Sequence, residues 1–529
     1  MTTTAISAAT PSYPAGFERA ILVLTAISAS LLQLIDTSIV NVSLREIAGS
    51  IGATNTEIAW AVTSYAISNV IMIPLSGMLG DLFGRRNYFT ASILLFTVAS
   101  IFCGLAGSLW SLVLWRFVQG LGGGALLTTS QTIIVEAFPP DKVATANAIF
   151  GVGVILGPTF GPTLGGFLTD NYSWHWIFFI NIPIGIIAAF LAWTFVKNRT
   201  GASKPTKIDW TGIALLVIAI GSLQFVLEEG TGDDWFASNK ILLMTIIAAI
   251  GLIGFIYWEW TEPQPAVNIR LMKNRNMWLG SLLGFAIGMI LLATVFVFPL
   301  FVQIGLGWTA TMTGNFLISG ALASAVAMVV VSRLLNRGVD PKVLMLAGAV
   351  MVFSFAAIMS FSSPGSTSAN FFWPFILRGF GIGFMLSPMM GLTLQGFKGS
   401  DLGQAAGLSN MVRQLGGAIG ISLMNVTLTG RNAFNFSNLS QNINEYNPEF
   451  TDRLNMMTQG FMSQGYYRDQ AEQMAEQAIN GSVMRQMMLV SYDNIFWIVA
   501  VASLVCVPLI LMIRNRKSAE KAETEMFME

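Results

Sequence analysis

Residues 239–259 read NKILLMTIIAAIGLIGFIYWE, and this stretch indicates what kind of protein the chain forms. Its charged residues, Lys240 and Glu259, stand at its two ends. A helix needs about 20 mostly apolar residues to cross the hydrocarbon core of a bilayer. A membrane β-strand needs only about 9–11 residues of alternating pattern, so a run of this length predicts a transmembrane helix.

The same criterion applied to the whole chain predicts about fourteen transmembrane helices and an all-α membrane protein. The chain has 529 residues, of which 54% are hydrophobic and 11% charged, whereas soluble proteins are about 25% charged. The predicted spans are 18–42, 57–80, 87–107, 110–137, 143–168, 175–196, 209–228, 239–259, 277–303, 311–334, 342–361, 371–395, 404–429 and 491–513.

Composition argues against several functional classes. The net charge is zero, so there is no basic surface for a nucleic acid. Two cysteines and a single histidine, His175, argue against a disulfide framework or a metal site. No GxxxxGK[ST] segment occurs, which argues against an ATP-driven pump. We therefore expect a non-enzymatic protein without cofactor or metal, and scattered carboxylates argue against a membrane-embedded enzyme.

Lysine and arginine in the loops predict the orientation. With the N-terminus inside, 19 of these residues lie inside and 6 outside, and cytoplasmic loops carry the excess. Both termini are thus predicted to be cytoplasmic in a bacterial inner membrane. The predicted divisions are an N-terminal tail (1–17), a six-helix half (18–196), a linker with two extra spans (197–275), a second six-helix half (276–513) and a C-terminal tail (514–529).

Within the second half, residues 430–490 form the one large predicted outer loop. Its later part, RDQAEQMAEQAINGSVMRQMM, has an amphipathic helical pattern. We expect a solvated cap over the outer face, with a docking surface for a periplasmic partner as the alternative.

An internal repeat supports two similar halves. Arg116 in LWRFVQGLGGG has an echo 262 residues later, at Arg378 in ILRGFGIGF. Both arginines precede glycine-rich helix. The same shift carries Gly157 into a second glycine-rich span, and Arg85 to a position just past another basic loop.

Two charged residues inside spans are the first functional candidates, because an intramembrane charge is costly and usually functional. Asp36 in LLQLIDTSIVN can bind and release a proton, and its alternative role is a hydrogen-bonded structural aspartate. Arg116 needs a partner or water, and its alternative is to extend to the outer interface near Trp110. Arg413 also lies within a span and needs a partner, but is a weaker candidate.

The loop after the second span, GMLGDLFGRRN, carries a predicted conformational latch. Gly77 and Gly80 permit close helix approach, Asp81 stands at the membrane edge, and Arg85 and Arg86 follow the turn residue Gly84. Such a cluster can bridge to a neighbouring helix end and hold one conformation shut; Glu136 could join it through Arg86 or Lys142.

The fifth span, GVGVILGPTFGPTLGG, has glycines at every fourth position from Gly153 to Gly165. They form one smooth face, while Pro158 and Pro162 bend the helix. This pattern suits sliding contact between the two halves, and ordinary tight packing is the alternative.

Several of these motifs together resemble the major facilitator superfamily, and within it the 14-span drug:proton antiporters of the EmrB/QacA type. GMLGDLFGRR is similar to the loop signature, LVLWRFVQGLGGG to the span-4 motif and GVILGPTFGPTLGG to the antiporter motif. LIDTSIVNVSL, WAVTSY (60–65) and WHWIFFINIPIG match the 14-span type. The chain departs from the pattern at Arg45, Leu82 and His175, and Leu82 weakens the expected latch.

The resemblance implies a major facilitator fold of two six-helix halves plus two extra helices, and proton-driven export of amphipathic compounds. It implies that Arg116 takes part in proton coupling and that Asp81 and Arg85 act in the latch. It also implies that Gly157, Pro158, Gly161 and Pro162 mark an antiporter. In a cell with two membranes it implies a periplasmic adaptor and an outer-membrane channel as partners.

Aromatic and methionine side chains are candidates for the substrate cavity, although such residues on membrane helices more often face lipid or pack. We predict a proton-coupled multidrug efflux transporter whose small amphipathic drugs and protons cross by alternating access. An uptake symporter, an exporter of one metabolite and a non-transporting sensor are the alternatives. The cavity candidates are Trp60, Tyr65, Phe298, Phe384 and Met385.

Overall fold

The computed structural model describes residues 13–198, 207–363, 365–441, 443–444 and 446–513. These ranges are almost entirely α-helical and contain no β-strand, which confirms the all-α fold class. The outer parts of both predicted tails (1–12 and 514–529) and the middle of the linker (199–206) lie outside the described residues.

The helices follow one another with short connections. The first group comprises α1 (Gly16–Ile51), α2 (Asn55–Phe83), α3 (Arg85–Gly104), α4 (Leu109–Ala137), α5 (Val143–Asn171), α6 (Trp176–Phe179) and α7 (Asn181–Phe195). Two more are α8 (Trp210–Glu229) and α9 (Asn239–Thr261). The last group comprises α10 (Arg275–Leu300), α11 (Ala310–Asn336), α12 (Pro341–Met359), α13 (Ser368–Thr393), α14 (Ser400–Ser440), α15 (Pro448–Ser463) and α16 (Arg468–Met512).

Twelve segments of the described chain are long and apolar enough to cross a membrane. The helices α4 and α14 are also long enough, but glycine, glutamine, asparagine and threonine lower their hydropathy. Both are buried along much of their length among other helices, so they need few lipid-facing apolar side chains. With these two, the helices agree in outline with the fourteen spans predicted.

The helices pack as two groups with an additional pair. In the first group α1 contacts α5, and α4 contacts α2 and α3; in the second, α10 contacts α14, and α13 contacts α11 and α12. The additional pair, α8 and α9, pack on each other, and α8 also packs on α2. This is the predicted architecture of two six-helix halves with two extra helices.

The two halves meet mainly along two helix pairs, α2 with α14 and α5 with α11. At the predicted cytoplasmic end, a Cβ atom on Gly77 would lie 2.9 Å from backbone atoms of Gly403 and Gln404. On the other pair, Thr145 of α5 accepts a hydrogen bond from Ser332 of α11 at 3.1 Å. The halves are therefore in direct contact at this end of the molecule.

The helices on either side of the predicted outer segment extend into it. Residues 430–490 are mostly helical, because α14 continues to Ser440 and α16 already begins at Arg468. The amphipathic helix predicted near 468–488 is confirmed as the start of α16. With 41 and 45 residues, α14 and α16 are about 60 and 70 Å long at 1.5 Å per residue, against a hydrocarbon core of about 30 Å. A hydropathy criterion detects only the part of each helix that lipid surrounds.

Candidate functional site

Asp36 and Arg116 form a fully buried ion pair between α1 and α4. Arg116 Nη1 lies 2.6 Å from Asp36 Oδ2, and the side chains are 1% and 0% exposed. Arg116 Nε also donates to the carbonyl of Ala61 at 3.2 Å. Arg116 therefore does not extend to the outer interface, and each charge is neutralised by the other inside the helix bundle.

Two amides complete the surroundings of the carboxylate. Gln119 Nε2 donates to Asp36 Oδ1 at 2.9 Å, and Asn181 Nδ2 donates to the same oxygen at 3.2 Å. Gln119 also accepts from Arg116 Nη1 at 2.8 Å, and Asn181 donates to Ser100 Oγ at 3.1 Å. Both carboxylate oxygens thus have partners, so the ionised form is well solvated by the protein.

Close packing of α4 on α2 places an aromatic ring on the guanidinium. A Cβ atom on Gly120 would lie 2.6 Å from the carbonyl oxygen of Tyr65, and one on Gly124 would lie 2.7 Å from Met72 Cβ. Because both positions are glycine, α2 can approach α4 closely. Arg116 Cζ then lies 4.1 Å from the centre of the Tyr65 ring. This cation–π contact further stabilises the desolvated charge.

The arrangement is suited to reversible protonation. A proton on Asp36 would remove the charge that Arg116 pairs with and weaken three hydrogen bonds that hold α1, α4 and α7 together. Sequence reasoning found the two charged residues but missed Gln119, Asn181 and Ser100. The available signal was polar side chains in apolar spans, with Gln119 one helical turn after Arg116.

The predicted latch residues divide into two sets of contacts. Asp81 accepts a hydrogen bond from Ser400 of α14, so it connects the two halves. Arg85 forms an ion pair with Glu136 at the end of α4, within the first half. The guanidinium of Arg86 lies 4.5 Å from the centre of the Trp193 ring. Gly84 has φ +85°, a conformation that glycine adopts readily, and it separates α2 from α3.

The glycine face of α5 packs within the first half, which corrects the expected sliding contact between halves. A Cβ atom on Gly161 would overlap Ser38 of α1, and one on Gly165 would lie 2.8 Å from the carbonyl oxygen of Ile39. Gly157 faces Leu34 of the same helix. Pro158 and Pro162 lie inside α5, as predicted. Other positions of α5 contact α11 of the second half, among them Thr145, Gly151 and Thr163.

The predicted cavity residues do not share one surface. Tyr65 lies against Arg116, while Trp60 is half-buried with its ring centre 5.6 Å from that of Phe225 on α8. Phe298 and Met385 are buried among the helices of the second half. Phe384 is half-buried and faces α12 at Gly348. Because these five residues do not share one surface, their role in substrate binding stays a prediction.

The described structure contains a cavity of about 380 Å³ at the predicted cytoplasmic ends of α1, α4 and α7. It lies within the first half, and its wall carries charges of both signs. The predicted cavity residues do not line it. The lining residues are Tyr13, Pro14, Glu18, Leu22, Arg85, Ile133, Glu136, Ala137, Phe195, Val196 and Lys197.

These observations define a polytopic helical membrane protein with charged groups buried between its helices. Residues 26–421 match the family model of the major facilitator superfamily. The chain belongs to the major facilitator superfamily, whose members are transporters rather than enzymes.

Two relatives cover nearly the whole chain. The multidrug export protein EmrB of Escherichia coli K12 is 32% identical over 94% of this chain and 95% of its own length. The fatty acid resistance protein FarB of Neisseria gonorrhoeae is 32% identical over 91% of this chain and 93% of its own length. The resemblance to the EmrB type is thereby confirmed.

A solved structure agrees with the fold. The human organic anion transporter MFSD10 superposes with a TM-score of 0.53, covering 92% of this chain and 100% of that one. Its sequence is only 12% identical, so this similarity shows the fold alone.

Proposed function

We propose that this chain is a proton-coupled efflux transporter that exports amphipathic compounds by alternating access. The observation that carries the proposal is the ion pair of Asp36 and Arg116, buried where neither charge reaches water. A fold needs no such pair for stability, since buried ion pairs are often no better than apolar packing. A proton-coupled transport cycle, by contrast, needs a group that can gain and lose a proton, and a buried carboxylate is such a group.

In the proposed cycle, the outward-facing carrier takes a proton from outside on Asp36. Protonation weakens the hydrogen bonds from Arg116, Gln119 and Asn181, substrate is released, and the two halves rock. The proton then leaves to the inside, the ion pair re-forms and substrate loads again. The proton gradient drives export, and no nucleotide or other cofactor takes part.

The names of two relatives support the proposed substrate class. One is named for multidrug export and another for fatty acid resistance, so a broad set of amphipathic molecules fits both. An uptake symporter or an exporter of a single metabolite on the same fold is the alternative. The proline-rich, glycine-rich α5 supports the antiporter by its resemblance to the antiporter motif.

We place the chain in a bacterial inner membrane with both termini in the cytoplasm. In that orientation the outer end of α14, together with α15 and the start of α16, projects from the membrane. Tyr446 and Tyr467 are 94% and 83% exposed on this projection. In a cell with two membranes, this is where we propose that a periplasmic adaptor docks and leads to an outer-membrane channel.

The test is substrate-driven proton movement in proteoliposomes. Ethidium transport is measured under an imposed proton gradient, and the native protein is compared with Asp36→Asn. We expect gradient-dependent ethidium efflux that disappears in the variant. Asp170→Asn is the matched control, because Asp170 is exposed at the end of α5 and should leave efflux unchanged.

Efflux by Asp36→Asn at the native rate would move the proton carrier to another group. The absence of proton movement with every compound in a broad set of amphipathic molecules would overturn the efflux proposal and favour the symporter or the sensor.

A further inference from the structure

Two carboxylates lie against each other at the predicted cytoplasmic end of the additional helix pair, α8 and α9. Asp209 immediately precedes α8 and is 9% exposed, and Glu259 lies in the last turn of α9 and is 0% exposed. A Cβ atom on Gly212 would lie 2.3 Å from Asp209 Oδ2 and 2.5 Å from Glu259 Oε1. The two oxygens therefore border the same point, and they can meet there because position 212 has no side chain.

The two carboxylates differ in how fully they are hydrogen-bonded. Asp209 Oδ1 accepts from Trp258 Nε1 at 2.9 Å and from a backbone N–H of α8 at 2.8 Å, and its Oδ2 accepts from the N–H of Ala266 at 3.4 Å. Glu259 Oε2 accepts from the N–H of Val267 at 3.2 Å. Among the residues that the structure describes, Glu259 Oε1 has no hydrogen-bond partner. The unsatisfied oxygen is thus the one that faces Asp209.

No positive charge is in contact with the pair. Three charged side chains act on Glu259, those of Asp209, Glu262 and Arg270. Arg270 donates to the backbone carbonyls of Trp260 at 2.8 Å and Glu262 at 2.6 Å, so its guanidinium is used at the end of α9. Across the described ranges, neither carboxylate of the pair forms an ion pair. Two ionised carboxylates in contact would therefore repel each other at a place removed from water.

A single proton removes both problems. On Glu259 Oε1 it can be donated to Asp209 Oδ2, which satisfies the last unpartnered oxygen and leaves the pair with one negative charge. Asp209 keeps that charge, because it accepts hydrogen bonds on both oxygens and precedes the N-terminus of α8, where the helix dipole favours an anion. Carboxyl groups this close titrate as a pair rather than independently.

The pair also anchors the loop 262–268, which leads from α9 toward the second half. Its two carboxylates bind the backbone N–H groups of Ala266 and Val267, whose side chains are 0% and 2% exposed. Both side chains belong to one apolar cluster with Met78 of α2 and Leu402 of α14. Because α2 and α14 join the two halves, the anchored loop packs where the halves meet.

We propose that Asp209 and Glu259 share one proton at neutral pH, and that this second proton site holds the loop 262–268 against the closed end of the molecule. The proton is bound rather than transported, since the site lies on the additional helix pair and not beside Asp36. Its loss in an alkaline cytoplasm places two negative charges in contact and loosens the loop. The contact between the halves thereby responds to cytoplasmic pH, whether or not the chain exports amphipathic compounds.

The first test is infrared spectroscopy of the full-length protein in nanodiscs at neutral pH. The spectrum of the native protein minus that of Glu259→Gln should show the carbonyl stretch of a protonated carboxyl group, which shifts in D₂O. Asp209→Asn should lose the same band, because the asparagine amide donates to Glu259 Oε1 and leaves Glu259 ionised. Asp36→Asn should retain it, which separates this proton from the one proposed for transport.

The second test is the pH dependence of thermal unfolding. In the unfolded chain both carboxylates are exposed and ionised above about pH 5, so the native protein binds one proton more and loses stability as the pH rises and the pair releases it. The native midpoint temperature should fall between about pH 7 and pH 10. Glu259→Gln should fall less steeply, because its amide replaces the protonated carboxyl group and has no proton to lose.

Asp234→Asn is the matched control, because Asp234 is exposed at the other end of the same helix pair. Its φ of +53° is one that asparagine also adopts, and we expect the native pH dependence. If Glu259→Gln does not fold, the band in the native protein should still disappear between about pH 7 and pH 10.

Two outcomes would overturn the shared proton. One is a native spectrum in which every protonated-carboxyl band is lost in Asp36→Asn. The other is an equal loss of midpoint temperature with pH in the native protein and in folded Glu259→Gln. An absent band together with a midpoint raised by added calcium would also overturn it, and would assign the pair to a divalent cation instead.

Discussion

At the scale of single residues, the buried ion pair depends on both of its members. Asp36 and Arg116 lie 2.6 Å apart and are almost wholly removed from water. Removing one member of such a pair leaves an uncompensated charge and costs about 3–5 kcal/mol, whereas replacing both with apolar side chains is often neutral. Stability and transport can therefore be separated at this site.

We predict that Arg116→Met and Asp36→Leu each lower the free energy of unfolding by about 3–5 kcal/mol, and that the double variant regains most of the loss. Denaturation of the purified proteins in detergent measures these differences. The double variant should still lack gradient-driven efflux, because it has no proton carrier. Equal destabilisation by the single and double variants would show that the charges are not coupled.

At the scale of elements, glycines decide how closely the helices approach. On α5 the glycine face sits against α1, where even a methyl group at Gly161 would overlap Ser38. Gly166 on the same helix has nothing within 4 Å of an added Cβ atom. The two positions form a matched pair, since alanine at either one gains the same intrinsic helix propensity.

We predict that Gly161→Ala destabilises the protein by about 1–3 kcal/mol, the usual cost of overpacking a tight contact. Gly166→Ala should be neutral or stabilising by up to about 1 kcal/mol. Thermal unfolding in detergent compares the two variants. If Gly161→Ala unfolds at the same midpoint temperature as the native protein, α1 and α5 can move apart without a loss of stability.

At the scale of the whole molecule, the closed end between the halves depends on the contact of α2 with α14. The backbone of Gly403 and Gln404 leaves no room for a side chain at Gly77, and Ser400 donates a hydrogen bond to Asp81. At Gly80, one turn further along α2, there is room for a methyl group, since an added Cβ atom would lie 3.8 Å from Tyr88. A methyl group at Gly77 should therefore force the halves apart, and one at Gly80 should not.

We predict that Gly77→Ala shifts the carrier toward the conformation that is open at this end. Thr132, which lines a small gap beside Gly77 and Gly403, reports the opening as Thr132→Cys in a chain with Cys103 and Cys506 replaced by alanine. Maleimide labelling should accelerate about tenfold with Gly77→Ala, the effect of about 1.4 kcal/mol on the equilibrium. Gly80→Ala should label at the parent rate. An unchanged labelling rate in Gly77→Ala would show that the contact between α2 and α14 does not hold the halves closed.

The sequence alone determined the elements of this protein and marked its two central charges. A transmembrane helix follows from the length of an apolar run, which is a local property. Asp36 and Arg116 were recognisable because an intramembrane charge is costly wherever it points. The repeat of Arg116 at Arg378 likewise indicated two similar halves. The helices α14 and α16 are longer than the predicted spans, because an apolar run marks only the part of a helix that lipid surrounds.

Only the tertiary structure decided which groups meet. Asp36 and Arg116 are 80 positions apart, and Gln119, Asn181 and Ser100 join them from three different helices. Sequence spacing marks a smooth glycine face on α5 but cannot show that α1, rather than the other half, covers it. Likewise, it marks Arg413 as needing a partner but cannot show that the partner is the neutral Asn410. The reason is physical: helix formation is satisfied within each segment, whereas the neutralisation of a buried charge depends on every helix around it.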